Sequence, residues 1–144
     1  MATNKIELHI VTPDREFFTA EVDSLSFKTT EGFIGVLYDH IPLITTLTSG
    51  KAVFKNDKDT FEAVLHNGFA EIGEEKVTIL TDAAEWADEI DMDRALSARQ
   101  RAEKKLEELT HHEDKHKEEG VVQAQASLLR ALARIEMAQA RQDK

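Results

Sequence analysis

The chain has 144 residues, 41% of them apolar, with 28 acidic against 18 basic side chains, a formal net charge of -10 and no cysteine. That is enough for one globular domain or two small ones, and it argues against a disulfide framework, a thiolate metal site and the basic surface that free nucleic acid requires. The longest apolar run is far short of the ~20 residues that cross a bilayer, and the start MATNKIELHIVTPDREF meets charge too early for a secretory leader, so a soluble cytoplasmic protein is expected.

Residues 1–86 read as short strands. Ile6, Leu8 and Ile10 alternate with Glu7 and His9, the period of a half-buried strand. The alternation returns in Val22, Leu25 and Phe27, with one slip that reads as a bulge, in Val53 against Phe54 and Lys55, and in Val77, Ile79 and Thr81. Turn signals separate these runs at 12–14, at the hairpin tips 56–59 and 73–76, and at Asn67-Gly68, which offers the positive-φ pair of a tight turn. The richest apolar segment, EGFIGVLYDHIPLITTLTSG, is broken by Gly32, Gly35, Gly50 and Pro42. The glycines suit tight reversals, Pro42 separates one strand from the next, and Leu43, Ile44 and Leu47 read as core. Short strands at close spacing predict an all-β sandwich or flattened barrel over residues 1–86.

After Trp86 the period changes. Ala95, Ala98, Ala102, Leu106 and Leu109 form one helical stripe, with Asp91 as N-cap. Residues 110–120, THHEDKHKEEG, hold no apolar side chain and read as a solvated turn ending in Gly120. A second stripe runs through Val121, Gln125, Leu128, Leu132, Ile135 and Gln139. Two antiparallel helices over residues 87–144 would bury both stripes together. The halves differ in charge: residues 1–86 carry 7 basic and 15 acidic groups, residues 87–144 carry 11 and 13, as two parts with different partners would.

Motifs of NTP hydrolysis, dinucleotide binding and hydrolase elbows are missing. His112-Glu113-Asp114-Lys115-His116 matches HExxH, which on a helix places two imidazoles for zinc with a glutamate base. Its polar surroundings and the adjacent Lys115 and Lys117 favour a solvated turn instead. More telling are the arginines. Folding the helices about residue 115 sets Arg94 opposite Arg134 and Arg101 opposite Arg130. Either they form a solvated basic face, near Glu85, Glu89, Asp91 and Glu136, or they clamp a polyphosphate with guanidinium forks.

The opening IELHIVTPDREFF, the stretch EGFIGVLYDHIPLITTL, the NGF hairpin and IDMDRA before a two-helix tail resemble the epsilon subunit of bacterial F-type ATP synthases over essentially the whole chain. The resemblance implies a non-catalytic rotor subunit at the cytoplasmic face of the plasma membrane, peripheral and not inserted. Its sandwich would pack on the gamma subunit and touch the polar loops of the c-ring, with Phe33, Tyr38, Asp39 and His40 near that junction. Its helical hairpin would act as a brake on ATP hydrolysis, folded in the permissive form and extended into the alpha and beta subunits in the inhibited one. Ile90-Asp91-Met92-Asp93-Arg94-Ala95 resembles the family motif for binding ATP as a regulatory ligand without hydrolysis. Glu85, Arg130 and Arg134 match further nucleotide-contacting positions, Arg101 stands behind them, and Arg130, Arg134 and Arg141 would face an acidic segment of beta. The rival readings are a generic sandwich adaptor with a helical arm and a zinc peptidase using His112 and His116.

Overall fold

The computed structural model describes residues 4–111 and 117–142, and the chain divides into two compact units, Met1–Trp86 and Ala87–Lys144. Among the described residues the first unit holds ten strands: β1 (Ile6–Val11), β2 (Glu16–Val22), β3 (Ser24–Thr29), β4 (Gly32–Leu37), β5 (Leu43–Leu47), β6 (Gly50–Lys55), β7 (Thr60–Leu65), β8 (Gly68–Ile72), β9 (Lys76–Thr81) and β10 (Ala84–Trp86). They join in one sheet in the order β10-β7-β6-β3-β5-β8-β9-β1-β2, with β4 added on β3. Neighbours pair antiparallel except β1 and β9, which run parallel, Leu8 beside Val77 and Ile10 beside Ile79. So long a sheet twists and folds over itself. Its inward side chains then meet in a single core that takes Leu8 and Ile10 from β1, Phe27 from β3, Phe54 from β6 and Ile79 from β9. This is the sandwich that the two-residue period predicts.

An aromatic cluster closes one end. Phe17 stacks on Trp86 at 4.3 Å between ring centroids, Phe18 lies 4.6 Å from Phe54, and Phe61 stacks on Phe54 at 5.6 Å. Such pairs add about 0.5–1.5 kcal/mol each beyond the area they bury. They tie β10, a strand of three residues, to the rest of the sheet. The Arg15 guanidinium lies 4.9 Å over the Phe17 ring and donates from Nη2 to the Ala84 carbonyl at 3.3 Å.

Several local expectations change. The slip between Val22 and Leu25 is a break between β2 and β3 rather than a bulge; the Asp23 amide turns out to donate to Lys55 O. The bulge of the unit lies instead at Ile10/Val11, against β2. In β6 the phase is the reverse of the one read: Ala52 and Phe54 are buried and Val53 is half-buried. Gly68 does not take a positive φ; the left-handed residues are Gly32, at 121°, and Asp39, at 66°. Gly68 is needed for closeness, since a Cβ there would fall 2.0 Å from Leu80 O.

The second unit opens with a 3-10 turn, Ala87–Glu89, followed by α1 (Met92–Thr110) and α2 (Lys117–Gln142). Asp91 caps α1 as expected, its carboxylate accepting the Arg94 amide at 3.1 Å. The helices pack as a hairpin through a seam of small residues: Ala95 and Ala102 on α1, Ala124 and Ala131 on α2. Gly120 does not end a turn, as the sequence suggested. It sits in the first turns of α2, where a Cβ would come 3.1 Å from Leu109 Cδ1. The second stripe is also rephased. Gln125, Leu132 and Gln139 are exposed, while Ala124, Ala131, Ile135 and Ala138 are buried. Among the described residues no helix is long and apolar enough to cross a membrane.

Candidate functional sites

The first unit carries apolar side chains on its outside. In β8 and β9 the alternation buries Ala70, Ile72, Val77 and Ile79 and turns Phe69 and Leu80 outward, side by side across the ladder. On the other flank of β8, Thr46 of β5 lies beside Phe69, and Ile44 lies two residues on, beside Glu71. Phe69 is 50% exposed and Ile44 73%. On β4, Ile34 and Val36 face in while Phe33, 69% exposed, and Leu37 face out. Phe33 and Ile44 also share a groove of about 500 Å³ with Leu43. Leu43 and Ile44 are therefore exposed, not core as read from the sequence; Leu47 alone of the three is core. Lone exposed apolar residues are ordinary, but a set of them on one sheet face marks an interaction surface.

The loop after β4 adds polar groups. Asp39 takes the left-handed conformation that Asp tolerates better than most residues, and its amide donates to Glu74 O at 2.8 Å. Tyr38 lies 3.3 Å from Glu75 Oε1, and the charge of Glu75 raises the phenol above its usual range. Since a carbonyl only accepts, His40 Nδ1–H must donate to Ile41 O, at 2.6 Å.

The second unit carries the opposite kind of surface. A groove of about 470 Å³ runs between α1 and α2, and its basic lining is Arg101, Lys105, Arg130 and Arg134. Ser127 and Gln123 also line it, and among the described residues no carboxylate does. Arg130 Nη2 donates to Ser127 Oγ at 3.0 Å, which fixes one edge of its guanidinium. The sequence pointed to Arg101, Arg130 and Arg134, and the fold brings these three together. Lys105, Ser127 and Gln123 were missed, although Lys105 lies one turn from Arg101 and this spacing alone could have found it.

The remaining predicted residues have other settings. Arg94 does not line the groove; it is exposed at the start of α1. Ile90 is half-buried and its amide donates to Ala87 O at 3.3 Å. Asp91 is engaged as the cap, and Ala95 is buried in the seam. Glu85 belongs to β10 in the first unit, where its carboxylate meets His66 Nε2 at 2.9 Å. His66 is 1% exposed, and its Nδ1 lies 2.9 Å from Ser49 Oγ. An ionised carboxylate can only accept, so Nε2–H donates to Glu85 and, in the neutral ring, Nδ1 accepts from Ser49. This buried chain was not foreseen; its three members lie far apart in sequence. His112, Glu113 and His116 of the HExxH motif lie outside the described residues.

Comparison with known proteins covers both units. The family described as ATP synthase, Delta/Epsilon chain, beta-sandwich domain matches residues 5–87, and the one described as ATP synthase, Delta/Epsilon chain, long alpha-helix domain matches residues 88–139. The chain is 42% identical over 132 residues to an ATP synthase epsilon chain of Caldanaerobacter subterraneus, with 91% of each chain covered. It is 39% identical over 130 residues to one of Nitratidesulfovibrio vulgaris, covering 90% of this chain and 92% of that one. In fold it resembles a chain of the Euglena gracilis mitochondrial ATP synthase, with a TM-score of 0.77 at 23% identity over 94% of this chain and 81% of the other.

Proposed function

The chain belongs to the ATP synthase delta/epsilon chain family, and from that premise we propose that it serves as a central-stalk subunit, non-catalytic itself, at the cytoplasmic face of the membrane. The observation that carries the reading is the division of labour between the units. One presents an apolar sheet face, the other a cationic groove.

The sheet face of Ile44, Phe69 and Leu80 is the docking surface for the gamma subunit, and the loop at 38–42 faces the polar loops of the c-ring. A rotor part transmits torque through such contacts and needs no reacting group. The hairpin is the regulatory arm. Arg130 and Arg134, with Arg101 behind them, hold the phosphates of ATP as a bound ligand, because guanidinium forks pair with phosphate oxygens. Ile90, Asp91, Arg94 and Ala95 supply the start of α1, and Glu85 a carboxylate for the nucleoside. Bound ATP stabilises the packed hairpin by about 2.7 kcal/mol at a hundredfold excess over Kd. Freed of ATP, the same arginines engage the alpha and beta subunits and slow hydrolysis.

The docking half is tested by co-purification. Ile44→Asp and Phe69→Asp replace exposed side chains, so stability should stay within about 0.5 kcal/mol of the parent. Recovery of gamma with the tagged chain should fall at least about tenfold, as loss of a central apolar anchor does. Undiminished recovery would count against this face.

A further inference from the structure

We propose that the groove between α1 and α2 accepts a linear phosphate chain longer than a triphosphate, with Lys105 holding the end away from Arg134. The proposal rests on the reading of this groove as an anion site and extends it to ligand length.

The argument begins with order along the groove. Gly120 of α2 abuts Leu109 of α1, and the helices run antiparallel, so Arg134 lies level with the turn that holds Ala95 and Arg130 one turn nearer to Arg101. Arg134, Arg130, Arg101 and Lys105 then follow one another over about 15 Å, at 1.5 Å rise per residue. Three phosphates joined by single oxygen bridges cover only part of that length. The cations alternate from the two helices in a row, rather than converging on one point as a site for a single anion would.

Charge supports the same conclusion. The whole chain is acidic, with a formal net charge of -10, yet the groove holds four cations and, among the described residues, no lining carboxylate. Like charges in a row repel unless a polyanion lies along them. Ser127 and Gln123, on the groove wall beside the Arg101 and Lys105 turns, add neutral groups that can donate to phosphate oxygens between the cations. An extended phosphoanion could come from inorganic polyphosphate or from a nucleotide with more than three phosphates, and the chemistry that recognises them is shared.

Titration calorimetry of the full chain at fixed salt decides the matter, with tripolyphosphate, a longer linear polyphosphate, ATP and adenosine pentaphosphate as probes. The parent chain should bind the longer polyphosphate at least about tenfold more tightly than tripolyphosphate, the gain of one further charge-assisted contact. Lys105→Gln should remove that gain and leave ATP affinity within about twofold, while Lys104→Gln, off the groove, should keep it. A matching gain from ATP to adenosine pentaphosphate would identify a nucleotide source; a gain with the inorganic chain alone would identify free polyphosphate. Absence of a length effect, its survival in Lys105→Gln, or its equal loss in Lys104→Gln would overturn the proposal. ATP binding without a length effect would leave the proposed function standing. A Lys105-dependent length effect without ATP binding would do the reverse, retaining the groove and removing the nucleotide.

Discussion

Removing the imidazole of His66 strands two partners at once. Ser49 Oγ is buried, and the Glu85 carboxylate is largely so; both lose a hydrogen bond that nothing nearby replaces. Each polar group so orphaned costs about 1–3 kcal/mol, so His66→Ala should lower stability by about 3 kcal/mol in urea unfolding, and Ser49→Ala by about 1 kcal/mol. At the surface, Lys5 bridges Asp23 at 2.5 Å and Asp57 at 2.8 Å. Its hydrogen bond to Asp57 holds that carboxyl below the usual range. A depressed pKa means the contribution is present above the ordinary carboxylate pKa and is lost as pH falls through the folded value. The stability difference between parent and Asp57→Asn should therefore be flat from neutral pH down to about 4 and shrink below it; a difference that grows in acid would contradict the pairing. Residue identity made the cap at Asp91 and the core positions of β1 legible in the sequence. It could not separate Ile44 from core, because a docking residue and a core residue have the same chemistry.

Among the elements, β8 and β9 show how much a single backbone approach can decide. A methyl group at Gly68 would meet Leu80 O at 2.0 Å and Thr81 Cα at 2.7 Å, atoms of backbone that cannot turn away. Gly68→Ala should cost at least about 2 kcal/mol, the scale of overpacking, and loosen the β8–β9 ladder in hydrogen exchange before it affects β6–β7. Uniform weakening of both ladders would argue for another cause. The strands were readable because one face of each is buried and the alternation records it. The phase of α2 was not. Its seam is alanine, Ala124 and Ala131, while the larger Leu132 points outward, so a reading that weights large apolar residues draws the stripe on the wrong side. Gly120 misled for a similar reason: it serves close helix packing, not a turn. The basic groove was half visible, since Arg130 and Arg134 lie one turn apart, but the part played by Lys105 needed the register between helices.

For the whole molecule, the two units are built to different strengths. The sandwich buries Phe27, Phe54, Leu8, Ile10 and Ile79 completely, and side chains of that size contribute about 1.5–3 kcal/mol each. The hairpin seam offers mainly methyl groups, at about 0.8 kcal/mol per buried carbon. A weakly packed pair of helices with four cations in its groove is poised for an anion to decide its state, because two arrangements that differ by a few kcal/mol exchange under one ligand. The sandwich, by contrast, remains a fixed foot. The most direct measurement is hydrogen exchange of the full chain with and without saturating ATP, on the parent and on Arg134→Ala. ATP should slow exchange of α1 and α2 amides by about a hundredfold at a hundredfold excess over Kd, leave the sandwich unchanged, and lose this effect in Arg134→Ala. Exchange in α1 and α2 that is indifferent to ATP would contradict the account.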